Sequence, residues 1–140
     1  MPELRTDNFK LELCIIEHEM ERFPSFKTRV NVEFYYPLGF LEYDSAKVWF
    51  SMDDWNDFFA AIQSEESICE VSDLSSDVKI QFSRDDLKNR VQISLRRSVV
   101  GIGEGELNLD LVEGGDFQEN LLKFAGGGRT PTISESTVSL

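Results

Sequence analysis

The sequence predicts an α+β fold, a two-layer sandwich with two helices packed on one face of a mostly antiparallel sheet of about six strands. Three observations predict it. Most apolar runs alternate with polar residues, which is the period of strands with one covered and one wet face. Two segments instead repeat apolar residues at three- and four-residue steps, which is typical of amphipathic helices. Short turn sequences join the strand-like runs, as in antiparallel sheets.

Length and composition indicate one domain with a tail. The chain has 140 residues, of which 41% are hydrophobic and 11% aromatic. A chain of this size buries a core without disulfides or metals. We assign residues 1–125 to a single α+β domain. Residues 126–140, GGGRTPTISESTVSL, are rich in Gly, Ser and Thr and have no periodicity, so we predict a flexible C-terminal tail.

The first part of the chain predicts three strands. The inward residues of the first strand are Phe9, Leu11, Leu13 and Ile15. Those of the second are Phe26, Val30, Val32, Phe34 and Tyr36, with Tyr35 on the opposite face. Pro37 and Gly39 then predict a turn, because proline restricts the backbone and glycine relaxes it. The third strand, SAKVWF, places Ala46, Val48 and Phe50 inward and Trp49 outward.

A helix is predicted directly after the third strand. Its apolar stripe consists of Met52, Trp55, Phe58, Phe59 and Ile62. Ser51 is suited to cap the N-terminus, with Asp54 at the capping-box position. Asp53, Asp54 and Asp57 fall in the first two turns, where the helix dipole favours negative charge. Because capping explains these aspartates, and no histidine or third carboxylate stands at a matching spacing, we predict no metal site here.

The second part predicts a short strand at residues 68–71, a hairpin, a last strand and a second helix. The inward residues of the three longer strands are Val78, Ile80, Phe82, Val91, Ile93, Leu95, Leu107, Leu109 and Leu111. The stretch GIGEGE at residues 101–106 is predicted as a connection, because Glu104 and Glu106 would repel a phosphate. Asp116 and Glu119 suit the capped start of the second helix, and the glycine run from Gly126 suits its end.

Net charge indicates which partners suit the protein. The charge is −12, from 26 acidic and 14 basic residues. Such a field repels nucleic acid and anionic lipid and attracts cationic partners. No apolar run approaches the ~20 residues of a membrane helix, and the N-terminus does not have the build of a signal peptide. With two widely separated cysteines, these features predict a cytoplasmic protein that binds no membrane.

No motif predicts catalysis or a bound cofactor. The single histidine, His18, has Glu17 and Glu19 beside it, but on a strand His18 points away from both. No nucleophile motif such as G-x-S-x-G is present. We therefore predict a non-enzymatic protein with no catalytic residue, no metal and no cofactor. An enzyme or small-ligand carrier would need a pocket with converging carboxylates between helices and sheet.

The outward face of the sheet combines basic and aromatic residues. Its predicted members are Lys27, Arg29, Lys47, Lys79 and Arg96, with Tyr35 and Trp49 among them. Such a face is typical of single-stranded nucleic-acid platforms, but Glu33 and Asp110 share it and the net charge opposes that function. Exposed aromatics are also enriched at protein interfaces. We predict that the partner-contacting residues are Asp53, Asp54, Asp57, Tyr35 and Trp49.

The order of elements resembles the WapI immunity family of small bacterial proteins. The stretches that carry the resemblance are FKLELCIIEHE, FKTRVNVEFYY, AKVWFSMDDWNDFFAAIQS and GELNLDLVEGGDFQENLLKFAG, within residues 9–125. The resemblance implies a protein that binds and neutralises a toxin domain, and the net charge favours a basic one. The alternative is an adaptor that assembles with another protein through an edge strand or the outer sheet face.

Overall fold

A computed structural model describes residues 3–85, 88–99, 101–113 and 117–129. These residues form two antiparallel four-stranded sheets and two helices. The α+β class and the antiparallel pairing are confirmed, whereas the single sheet of about six strands is wrong. No helix in the described ranges combines the length and apolar character needed to cross a membrane.

The two halves of the chain follow one plan, four consecutive antiparallel strands and then a helix. The first half contains β1 (Glu3–Arg5), β2 (Phe9–Glu19), β3 (Ser25–Tyr36), β4 (Gly39–Ser51) and α1 (Met52–Gln63). The second half contains β5 (Ile68–Ser72), β6 (Val78–Asp85), β7 (Lys88–Val99), β8 (Gly103–Glu113) and α2 (Phe117–Arg129). In each sheet the strands stand in chain order. The sheets are separate because β4 leads into α1 instead of pairing with β5.

An aromatic cluster on α1 joins the two sheets in one core. The ring of Trp55 lies 5.7 Å from that of Phe26 on β3 and 5.3 Å from that of Phe50 on β4. One turn further along α1, the ring of Phe58 stacks on Phe82 of β6 at 5.7 Å. The apolar stripe predicted from the sequence is confirmed, with Trp55, Phe58 and Ile62 buried.

Helix α2 is tied to α1 by hydrogen bonds at both of its ends. Near its start, Gln118 Nε2 donates to the carbonyl oxygen of Ile62 at 2.9 Å, which satisfies an acceptor at the C-terminal end of α1. Near its end, the carbonyl oxygen of Ala125 accepts from Trp55 Nε1 at 2.8 Å. Because α1 contacts both sheets, these bonds also fix α2 on the shared core.

A bulge between β3 and β4 corrects one predicted core position. Thr28 pairs with Val48 and Val30 pairs with Ser45, so β4 contains one more residue than β3 over this step. The extra residue changes which positions face inward. Ser45 is therefore buried, and Ala46, which was predicted inward, is exposed.

Three predicted boundaries also change. Strand β1 was not predicted, because three residues with one apolar side chain, Leu4, give no measurable period. Strand β8 starts at Gly103, so most of the predicted GIGEGE connection is strand. Helix α2 continues to Arg129, so the glycine run does not end it at Gly126. The capping prediction for Asp116 and the tail after Arg129 lie outside the described residues.

Candidate functional site

The end of the β3–β4 hairpin exposes a compact group of large apolar side chains. We call Tyr36, Leu38, Phe40 and Leu41 the hairpin tip. Their exposed fractions are 44%, 107%, 57% and 43%. Single exposed apolar residues are ordinary on a protein surface, but four within six consecutive residues concentrate apolar surface at one end of the hairpin, with Phe40 on the face opposite Tyr36 and Leu41.

The turn of the hairpin holds Leu38 in a left-handed backbone conformation. Tyr36 pairs with Gly39, so Pro37 and Leu38 form a two-residue loop. Leu38 has φ of 75°, whereas Gly39 is not among the residues with positive φ. A side chain in this conformation costs about 1–2 kcal/mol relative to ordinary backbone. Pro37 and Gly39 were the predicted turn residues, but the strained residue is Leu38, which has the most exposed apolar side chain among the described residues.

Carboxylates lie at the base of the hairpin tip. Tyr35 pairs with Phe40 across the two strands, and Glu33 pairs with Glu42 two residues further from the turn. The Tyr35 hydroxyl donates to Glu33 Oε1 at 2.8 Å, and Lys10 Nζ lies 3.3 Å from Glu33 Oε2. These contacts, led by the bond from Tyr35, lower the pKa of Glu33. The pKa of Tyr35 is raised, chiefly because the phenol is partly desolvated.

Ion pairs neutralise part of the predicted basic face. Arg29 donates two hydrogen bonds to Asp44, at 3.0 and 2.6 Å, and lowers the pKa of that carboxyl. Lys79 lies 3.3 Å from Glu70. Moreover, Lys79 and Arg96 belong to the second sheet, on β6 and β7. The five predicted basic residues therefore do not line one sheet, and this arrangement gives no support to a nucleic-acid platform.

The structure brings only one of the five predicted contact residues to the hairpin tip. Tyr35 is half-buried at its base. Trp49 is also half-buried and pairs with Lys27, eight residues along β3 from Tyr35, or about 26 Å at the rise of a strand. The two aromatic residues therefore lie toward opposite ends of the first sheet.

The three predicted aspartates lie on α1, away from the hairpin tip. Asp53, Asp54 and Asp57 are exposed and belong to no ion pair with a described side chain. Ser51 Oγ accepts from the backbone N–H of Asp54 at 3.3 Å, which confirms the predicted cap. Their arrangement is that of a capped, solvated helix start.

The described residues offer little for metal or acid–base chemistry. They contain no group of three His, Cys, Asp or Glu side chains arranged to hold a metal ion. A small cavity beside α2, lined by Cys69, Phe82, Phe117 and neighbours, has a volume of about 10 Å³, room for about one water molecule. Burial raises the pKa of the Cys69 thiol, which keeps it in the less nucleophilic protonated form.

Most of the hairpin tip was not predicted, because the alternation of apolar and polar residues does not show how far along a strand the core extends. Tyr36 was predicted inward, and the structure exposes it because the core does not extend to the turn. Leu38, Phe40 and Leu41 were assigned to no site. The signal that was available is the stretch YYPLGFL, in which apolar residues flank both sides of a turn, since turns are normally polar and exposed.

Comparison with protein families, curated proteins and solved structures finds no match for this chain. The resemblance to the WapI family therefore stays a prediction. The hairpin tip is interpreted from its own exposure, backbone geometry and surrounding charges.

Proposed function

We propose that this chain is a non-enzymatic protein-binding domain that neutralises a basic toxin domain by inserting the hairpin tip into it. The observation that carries the proposal is the exposed apolar tip with Leu38 at its apex. Leu38 is exposed, so the strain in its backbone does not serve to bury its side chain in the core. It is consistent with a residue that is selected for presentation to a partner.

The hairpin tip provides the apolar part of such an interface. Fully burying one large apolar side chain contributes about 1.5–3 kcal/mol, so Leu38 and Phe40 would act as anchors. The two-residue loop and the paired strands fix the backbone at both positions before binding. A preformed turn loses less conformational entropy on association than a flexible loop.

Charge complementarity defines the partner. The chain has a net charge of −12, and the carboxylates of Glu33 and Glu42 stand at the base of the tip. The matching surface on the partner is an apolar groove with Lys and Arg at its rim. The exposed aspartates of α1 lie too far from the tip to be the main contacts, but they add to the field that accelerates association with a basic protein.

A growth assay tests the proposed neutralisation. The C-terminal domain of the protein encoded immediately upstream is expressed alone, with this chain, and with the variant Leu38→Asp. We expect the domain alone to stop growth, the wild-type chain to restore it, and Leu38→Asp to fail, because a carboxylate at the apex would be buried without a partner.

The matched control is Ile102→Asp, which places the same charge on an exposed apolar residue in the β7–β8 turn. This variant is expected to restore growth like the wild type. If the upstream domain is harmless, or kills in the presence of the wild-type chain, neutralisation is wrong and the adaptor alternative takes its place. If Leu38→Asp protects fully, the hairpin tip is not the contact surface.

A further inference from the structure

Strand β8 is a long and regular sheet edge. Its residues from Gly103 to Glu113 pair with β7 without a register shift, and among the described residues β7 is the only strand beside it. The other edges are less open: β1 and β5 have three and five residues. On β4, which contains the bulge, the carbonyl oxygen of Trp49 already accepts from Leu74. An open edge of this length presents a row of backbone donors and acceptors.

The inner face of β8 is incompletely covered. On neighbouring β7, the inward residues Val91, Ile93 and Leu95 are all buried. On β8, Leu109 is buried, but Leu107 and Leu111 remain partly exposed. Apolar side chains from one more strand, placed beside β8 on the same face, would complete this layer.

The outer face of β8 carries unpaired negative charge. Glu104 and Glu106 are exposed and form no ion pair with a described side chain, and Arg96 of β7 is the one cation opposite them in register, across from Glu106, whereas Asp110 lies 2.8 Å from Arg90. Antiparallel pairing of two β8 strands, one from each of two copies, would bring these acids onto one face. Like charges facing each other across strands are destabilising. The edge therefore favours a strand with basic outward residues over a second copy of this chain.

We propose that β8 binds an extended segment of a partner protein in which apolar residues alternate with Lys or Arg. The apolar residues face inward over Leu107 and Leu111. The basic residues face outward beside Glu104 and Glu106. The segment would extend the second sheet by one strand through backbone hydrogen bonds. This surface is separate from the hairpin tip and does not depend on it.

Binding of a designed peptide to the purified chain tests the proposal. The probe is a fluorescent nine-residue peptide of alternating Lys and Val, followed by anisotropy and by hydrogen exchange of the protein. We expect saturable binding with slowed exchange confined to the β8 amides. A peptide of the same composition with its lysines in one block should bind at least about tenfold more weakly, because it cannot place its apolar and basic side chains on opposite faces. An alternating peptide with every second amide N-methylated should weaken equally, because it lacks donors for the ladder.

Two protein variants separate edge binding from general attraction to an acidic protein. Glu104→Lys with Glu106→Lys should weaken binding of the alternating peptide by about tenfold or more. The control, Glu17→Lys with Glu21→Lys, changes net charge equally on exposed residues of the first half and should bind nearly as the wild type does. Equal losses in both variants, equal binding of the block peptide, or protection outside β8 would overturn the proposal.

Discussion

Leu38 and Glu33 lie in the same hairpin but contribute to its stability with opposite signs. Leu38 is held in a left-handed conformation that its side chain disfavours. Glu33 is held by the hydroxyl of Tyr35 and the ammonium group of Lys10, and both lower its pKa. The polar network therefore supports the base of a hairpin whose apex is strained.

The lowered pKa of Glu33 predicts a specific loss of stability in acid. A carboxyl whose folded pKa lies below its unfolded value, here 4.5, binds more protons when unfolded. Its contribution to the free energy of unfolding is therefore complete above that value and is lost as the pH falls through the folded pKa. We expect Glu33→Gln to show a shallower loss of stability below about pH 4.5.

Urea unfolding midpoints at pH 7 and between pH 5 and pH 3 measure this dependence. Glu21→Gln serves as the control, because Glu21 is exposed and its side chain lies outside the Tyr35 network. If wild type and Glu33→Gln lose stability in parallel throughout acidification, the hydrogen bond from Tyr35 does not stabilise the fold.

A buried donor on α1 contributes to the docking of helix α2. Trp55 is fully buried, and its Nε1 donates to the carbonyl oxygen of Ala125. Trp55→Phe keeps an aromatic ring among Phe26, Phe50 and Phe124 but removes the buried hydrogen bond that links α1 to the backbone of α2. The lost hydrogen bond and the space left by the smaller ring together cost about 1–3 kcal/mol, so we expect a loss of stability of this size and faster hydrogen exchange throughout α2.

Trp49→Phe is the matched control, since Trp49 is half-buried on the outer sheet face. Its replacement should cost less than about 1 kcal/mol and leave exchange in α2 unchanged. The account of helix docking fails if the two variants lose equal stability, or if exchange in α2 stays at the wild-type rate in Trp55→Phe.

Local patterns predict the elements well and their assembly poorly. The apolar stripe of α1, the Ser51 cap and the β6–β7 hairpin follow from spacing and turn chemistry, which act within a few residues. The separation into two sheets does not follow, because alternation predicts the faces of β4 and β5 but not whether these strands pair. The bulge beside Ser45 could not be predicted either. It is an extra residue of β4 relative to β3, so it is recognised only when the pairing of the two strands is known.

The candidate site was only partly predictable for a related reason. Tyr35 was identified because an aromatic residue on a polar sheet face is conspicuous in the sequence. The tip itself depends on where the core ends, and this depends on how far the helices cover the first sheet. The net charge, by contrast, belongs to the whole molecule and follows from the composition, so the proposal of a basic partner required no knowledge of the fold.

The affinity of purified Leu38→Gly for the domain proposed as its target, the C-terminal domain of the protein encoded immediately upstream, tests the central claim most directly. Glycine relieves the left-handed strain, so this variant should unfold with a free energy at least as high as that of the wild type, by up to about 1–2 kcal/mol. It also removes the proposed anchor, so calorimetry should show affinity reduced by about tenfold or more. A more stable protein that binds more weakly is the predicted result. Binding as tight as that of the wild type, or no binding by the wild type itself, would contradict the account.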